Sequence, residues 1–123
     1  MTADELKDLA VAALDDLKAV DVKVLDVKDV TAITDVMVVA SGNSDRHVRS
    51  LAHAVLDAAK EAGIKPLGIE GERGGEWILL DLNDIIVHVM LPRMREFYNL
   101  EKLWSVDAHA PLRSVGGGEQ PGL

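Results

Sequence analysis

A single α+β domain of five strands and three helices is what this sequence predicts, and three observations carry the prediction. Three stretches repeat apolar residues at the spacing of one helical face. Five further runs are short, apolar or alternating, and in most cases rich in β-branched residues, as strands are. Two of those runs flank Asn83-Asp84, a pair that tolerates the positive φ angles of tight hairpin turns. A chain of 123 residues has room for one sheet-and-helix core and little more.

Thr2-Ala3-Asp4-Glu5 fits a capping box, in which the Thr hydroxyl accepts from the third helical N–H and the Glu reaches back to the cap. Leu6, Leu9, Ala10, Ala13, Leu14 and Leu17 then share one face, with Lys7, Asp8, Asp15, Asp16 and Lys18 on the solvated side. Val20 to Val27 alternates partly, as a half-buried strand does, and Lys28 to Thr34 is a connecting loop. Val36 to Ala40 is continuously apolar, which predicts a strand central in the sheet and covered on both faces. Ser44 caps a second helix with the stripe Val48, Leu51, Ala52, Val55, Leu56 and Ala59, and Gly63 ends it. Between strand and helix, Ser41-Gly42-Asn43-Ser44 imitates an anion-binding turn, although a plain connection is the commoner use of such residues.

Pro66 to Gly71 reads as a short edge strand, because Pro lacks a ladder donor and Gly68 weakens pairing. Trp77 to Leu82 and Ile85 to Leu91 form the hairpin, and Pro92 fits the first turn of a last helix. Phe97, Leu100, Leu103 and Trp104 lie on one stripe of that helix, with Tyr98 at its margin. Residues 1–104 are thus the expected domain, and the Gly- and Pro-rich segment 105–123 is expected to be a disordered tail.

The hairpin has a register, and the register sorts its side chains. With Asn83 and Asp84 as the loop, Leu79 opposes His88, Asp81 opposes Ile86 and Trp77 opposes Met90. One face is then wholly apolar: Ile78, Leu80, Leu82, Ile85, Val87, Val89 and Leu91. The other, with Trp77, Leu79, Asp81, Ile86, His88 and Met90, is mixed enough to meet water, a partner or a substrate. Leu79, Ile86 and Met90 on that face need cover, which predicts a homodimer. All four aromatic residues of the chain, 3% of its composition, fall between Trp77 and Trp104, and function is sought there.

Composition removes several classes of function. Without cysteine there are no disulfides, thiolate nucleophiles or thiolate metal sites. No apolar run approaches the roughly 20 residues of a membrane span, and a cytoplasmic protein is expected. With 21 acidic against 13 basic residues, the formal charge of −8 disfavours direct nucleic-acid contact and favours a basic protein partner.

Several blocks of this sequence resemble the ribosomal silencing factor family, also called RsfS or Iojap. They are Asp35-Val36-Met37-Val38-Val39-Ala40-Ser41-Gly42-Asn43-Ser44 with His47-Val48, Glu70-Gly71, Gly75-Glu76-Trp77, Leu79-Leu80-Asp81, Asp84-Ile85-Ile86-Val87-His88, and the aromatic block Arg95-Glu96-Phe97-Tyr98-Asn99-Leu100-Glu101-Lys102-Leu103-Trp104. The resemblance implies a mixed five-stranded sheet packed with helices, of nucleotidyltransferase-like topology. It also implies a homodimer that binds large-subunit ribosomal protein fourteen, blocks joining of the small subunit, and silences translation when nutrients are short. No cofactor or metal is implied. The partner-binding positions expected are Trp77, Asp84, Arg95, Glu96, Tyr98, Leu100 and Glu101, because Trp77 starts a strand on the mixed face and Tyr98 lies off the buried helix stripe, with the aromatics as anchors and the carboxylates as a rim that steers a basic partner.

A divergent nucleotidyltransferase-like enzyme is the alternative. Such enzymes follow a Gly-Ser turn with a strand bearing alternating carboxylates for a metal ion. Gly42 and Ser44 imitate the turn, but Glu70 stands alone, and Asp81 and Asp84 lie across a hairpin bend. His47 and His53, six residues apart and so about 240° around a helix, cannot share a ligand. His88 and Asp81 are diagonal neighbours in the register, roughly 7–8 Å apart, and make the best polar pair, expected to be structural for want of a nearby nucleophile.

Overall fold

The computed structural model describes residues 1–32 and 34–98. In chain order the elements are α1 (Ala3–Asp16), β1 (Val20–Asp26), β2 (Val36–Ser41), α2 (Asp45–Glu61), β3 (Gly68–Glu70), β4 (Trp77–Asp81), β5 (Ile85–Met90) and α3 (Pro92–Tyr98). The expected continuation of the last helix and the segment 105–123 lie outside the described residues. The strands form one sheet in the order β1-β2-β5-β4-β3. β2 and β5 are parallel and the other neighbours antiparallel, so the sheet is mixed, as the resemblance implies. β2 is interior, but β5 rather than β2 takes the middle place.

Local chemistry sets the element ends. The capping box of α1 is present, with Thr2 Oγ1 accepting from the Glu5 amide at 3.1 Å and Glu5 Oε1 accepting from the Thr2 amide at 2.8 Å. Ser44 caps α2 by accepting from the His47 amide, and Gly63 at φ +83° closes it. The last turn of α2 is satisfied by Gly63 N–H donating to Lys60 C=O and Ile64 N–H to Ala59 C=O. α1 ends in the same pattern without a glycine: Lys18 takes φ +61°, and Lys18 and Ala19 donate to Asp15 and Leu14. The hairpin register is the expected one, with Trp77 opposite Met90, Leu79 opposite His88 and Asp81 opposite Ile86. Asn83 adopts φ +75° in the turn, and Leu82 N–H donates to Ile85 C=O at 3.0 Å.

α1 and α2 cover one face of the sheet. The α2 stripe from Val48 to Ala59 is buried against Ile78, Leu80, Leu82, Ile85, Val87, Val89 and Leu91 of the hairpin, together with Val38 and Ala40 of β2. From α1, Leu6, Ala10 and Leu14 enter this core, whereas Leu17, expected on the same stripe, is the helix cap and is 42% exposed.

The opposite face departs from expectation. Ile86, His88 and Met90 are buried within the single chain, and Met90 joins Val27, Met37 and Val39 in a second small core. Leu25, Val30, Trp77 and Met94 pack against it from β1, the β1–β2 connection, β4 and α3. Ile86 and Met90 are therefore covered without a partner, and of the three residues expected to need a second copy only Leu79 is left half-buried. Alternation along the sequence shows which residues share a face but not which loop folds over it.

Candidate partner-binding surface

The end of the hairpin where Trp77 opposes Met90 is also where α3 begins, and ladder hydrogen bonds join the two. Leu91 N–H donates to Glu76 C=O at 2.9 Å, which extends the hairpin register by one pair past Trp77, while Gly42 N–H donates to Met90 C=O at 3.1 Å and continues the β2–β5 pairing. Leu91 C=O then accepts from the Met94 and Arg95 amides in the first turn of α3, where the missing N–H of Pro92 costs nothing. Because Glu76 sits opposite Leu91, Arg93 reaches it across the junction and donates to Glu76 Oε2 at 2.8 Å. Neither Glu76 nor Arg93 was among the expected contact residues. Carrying the hairpin register one step past Trp77 is the signal that would have found them.

Trp77 is half-buried. Its indole Nε1–H donates to His88 Nδ1 at 2.9 Å, with ring centroids 5.8 Å apart at 50°. His88 is two pairs along the ladder from Trp77, and likewise from Asp81, so both are its diagonal neighbours on the same face, and the imidazole has taken the indole instead of the carboxylate. The expected Asp81–His88 pair is thus absent: Asp81 Oδ1 accepts from the Asn83 amide at 2.9 Å and closes the hairpin turn. Burial pushes the His88 pKa down from 6.5 to about 4, because little water remains to solvate an imidazolium. The ring is therefore neutral at physiological pH. Accepting through Nδ1 leaves its proton on Nε2, and the indole is held in one orientation.

The other expected contact residues are placed unequally. Glu96 is exposed on α3, where it lines a surface hollow with Val20, Asp21, Ser41 and Arg93. Arg95 is not on the surface. It is 7% exposed, and Nη1 donates to Ser41 Oγ at 3.1 Å at the end of β2. The register of β1 against β2 shifts between Val20 and Lys23, and within that bulge Asp21, at φ +54°, brings a carboxylate oxygen to 3.7 Å from Arg95 Nη2. Arg95 thus pins α3 to the sheet. Asp84 is half-buried at the far tip of the hairpin, where its C=O accepts from the Asp35 and Val36 amides at 3.1 and 3.3 Å. The length of β5 separates it from Trp77, about 20 Å at strand rise, so it does not rim the aromatic as expected. Tyr98 closes α3 by its backbone. Its side chain, with Leu100 and Glu101, lies outside the described residues.

The turn before α2 has the Asn43, His47 and Val48 amides engaged within the chain. Asn43 N–H donates to His47 Nδ1 at 2.9 Å, His47 N–H to Ser44 Oγ at 3.1 Å and Val48 N–H to Ser44 C=O at 2.9 Å. A Cβ on Gly42 would meet the Val48 amide at 2.9 Å, so glycine serves close packing of strand on helix. The second nitrogen of His47 bonds Leu17 C=O at 2.8 Å, and His53 pairs with Glu72 at 2.6 Å, so the two histidines serve separate contacts. Among the described residues no group of three or more His, Asp or Glu could hold a metal ion. No described helix is long and apolar enough to cross a membrane.

Comparison with known proteins accords with this arrangement. The family model described as ribosomal silencing factor during starvation matches residues 1–121, beyond both ends of the blocks from Asp35 to Trp104. A protein of Chromobacterium violaceum named ribosomal silencing factor RsfS is 44% identical over 119 residues, 97% of this chain and 96% of that protein. A crystal structure of a Chromobacterium violaceum protein superposes with a TM-score of 0.84 at 40% identity, covering 98% of this chain and 91% of the other. A mouse protein named mitochondrial assembly of ribosomal large subunit protein 1 is 33% identical over 102 residues, 80% of this chain and 45% of its own length. With the family model spanning nearly the whole chain and the same sheet and helices in a solved relative, the protein belongs to the ribosomal silencing factor family.

Proposed function

We propose that this protein binds the large ribosomal subunit through ribosomal protein fourteen and, by its bulk, keeps the small subunit from joining, so that translation falls when nutrients are short. The observation that carries the reading is the half-buried Trp77, locked by His88 at the end of the hairpin where α3 begins, on a chain of charge −8. A rigid aromatic loses little entropy on binding, and the acidic balance of the chain suits a basic ribosomal protein. The mouse relative's name, which refers to the large subunit, supports the choice of subunit. Tyr98, Leu100 and Glu101 belong to the contact by the sequence pattern of the aromatic block, while Arg95 acts from inside by holding α3 in place. Asp84, one strand length away, falls at the outer margin of a contact of usual size.

Silencing of this kind needs no chemistry. Occupancy competes with subunit joining by mass action, and the protein acts in the cytoplasm as a binder rather than an enzyme. A nucleotidyltransferase-like activity is disfavoured by the residues themselves, since Asp81 closes a turn and no described strand carries an alternating carboxylate pair. A homodimer remains part of the reading through the resemblance alone.

The test is binding of Trp77→Ala to purified ribosomal protein fourteen, with sedimentation of mixed subunits alongside. Losing an interfacial Trp typically costs about 2 kcal/mol or more, so affinity should fall at least tenfold and subunit joining return. Circular dichroism and thermal melting must show a folded variant. A folded Trp77→Ala that binds and silences like the parent would sink the proposed surface.

A further inference from the structure

On the opposite side of the sheet from Trp77, α1 and α2 form a groove of about 560 Å³. Its floor is apolar, made by Leu9, Ala13, Ala54 and Ala58, and Leu17 at its end is 42% exposed. Its lining charges are Asp16, Asp57 and Glu61, all three carboxylates and all exposed, with no Lys or Arg among the lining residues. Lys60, the basic residue in the last turn of α2, is exposed and does not line the groove. α1 ends in Asp15-Asp16 with no basic residue in its last turn. Carboxylates at that end face the negative pole of the helix dipole, an arrangement that costs stability in the free protein and that a bound cation would relieve.

We propose that this groove is a second docking site, separate from the ribosome-binding surface, and that its occupant is a basic amphipathic helix of a partner protein. The groove runs along rows spaced three and four residues apart on both helices, Leu9 to Asp16 on one and Ala54 to Glu61 on the other, which is the shape a third helix packs against. The small floor residues let a partner helix approach closely and leave room for its larger apolar side chains. Its Lys or Arg residues, flanking that apolar stripe, meet the three rim carboxylates. A second copy of this chain is the poorer occupant, because it brings its own charge of −8 and an identical acidic rim.

The probe is a synthetic helical peptide of Leu and Lys, about four turns long, with Leu on one face, set against a peptide of the same composition in scrambled order. Titration into the full chain, followed by amide chemical shifts, should show saturable binding of the amphipathic peptide, with changes centred on Leu9, Ala13, Ala54 and Ala58. The scrambled peptide should bind at least tenfold more weakly. Replacing the exposed rim together, Asp16→Lys with Asp57→Lys and Glu61→Lys, should weaken the amphipathic peptide at least tenfold while binding to large subunits stays at the parent level. Ala58→Glu separates the two components of the contact: attraction by charge alone would be strengthened by another carboxylate, whereas docking on an apolar floor is weakened. The proposal is overturned if both peptides bind alike, if Ala58→Glu folds and binds more tightly, if the shifts fall on the Trp77 face, or if the rim variant loses large-subunit binding. Dimerisation of the parent that disappears in the rim variant would also overturn it, by assigning the groove to a second copy. Failure of any of these arms leaves the Trp77→Ala result untouched.

Discussion

The two faces of the sheet do different work, although the same strands make both. The face under α1 and α2 is apolar throughout, and its side chains interlock with two amphipathic helices. The other face has a smaller apolar cluster around Val27, Met37, Val39 and Met90, and beside it stand buried polar groups, His88, Ser41 and Arg95. Burial of apolar area stabilises without direction, so the first face holds the fold. Buried polar groups are costly unless paired in a fixed geometry, so the second face fixes positions: the indole of Trp77 through His88, and α3 through Arg95 and Ser41. The lesson is that the precision of the candidate surface comes from the minor core beneath it rather than from the main one.

The largest effect that can sharpen this contrast lies in the main core. Leu80 is fully buried there, and Leu80→Ala should lower unfolding free energy by about 3 kcal/mol through lost apolar burial and an incompletely filled cavity. Urea denaturation measures it, and a loss below about 1 kcal/mol would break the assignment of this face as the main source of stability.

Next comes pH, which should act through the minor core. The folded pKa of His88, about 4, lies below its ordinary 6.5, so between those values the unfolded chain binds the extra proton. The stability that neutral His88 supplies is complete above pH 6.5 and is lost as pH falls toward 4, which amounts to about 2 kcal/mol between pH 7 and pH 5 at 1.36 kcal/mol per unit. Denaturant melts of the parent and of His88→Gln at both pH values isolate this from the carboxylates. Parallel losses in the two proteins would mean that His88 does not titrate as its burial requires.

A smaller change tests the indole bond alone. Trp77→Phe keeps an aromatic ring but removes the Nε1–H, leaving His88 Nδ1 without that donor, and should cost about 1 kcal/mol. It should also free the imidazole to titrate differently, which histidine NMR titration would show; an unchanged titration would indicate that the indole does not hold the ring.

The smallest effect is expected at the surface. Arg93→Ala breaks the 2.8 Å pair with Glu76, but both side chains are mostly exposed, at 67% and 53%, so the loss should be about 0.5 kcal/mol or less by thermal melting. A larger value would mean that this pair, and not Arg95, is the main fastening of α3.

The sequence by itself determined the element order, the α2 stripe and the α1 stripe as far as Leu14, the caps at Thr2 and Ser44, and the hairpin register. Those depend on local periodicity and on turn residues such as Asn83, which act over a few positions. It also showed which residues share each face of the hairpin. Only the tertiary structure decided what those faces meet. His88 had two diagonal neighbours, Asp81 and Trp77, and the choice between them is one of rotamer and burial: Asp81 found a nearer donor in the turn amide, while the ring folded under the indole. Arg95 read as a surface cation because charge usually stays in water, yet the bulge at Asp21 and the hydroxyl of Ser41, more than fifty residues apart from it in sequence, make its burial possible. Asp84 and Trp77 are near in sequence and lie a strand length apart in space, since an extended chain carries its ends away from each other. The groove between α1 and α2 has the same origin, because the pattern on each helix gives its buried stripe and only their packing shows what remains beside it.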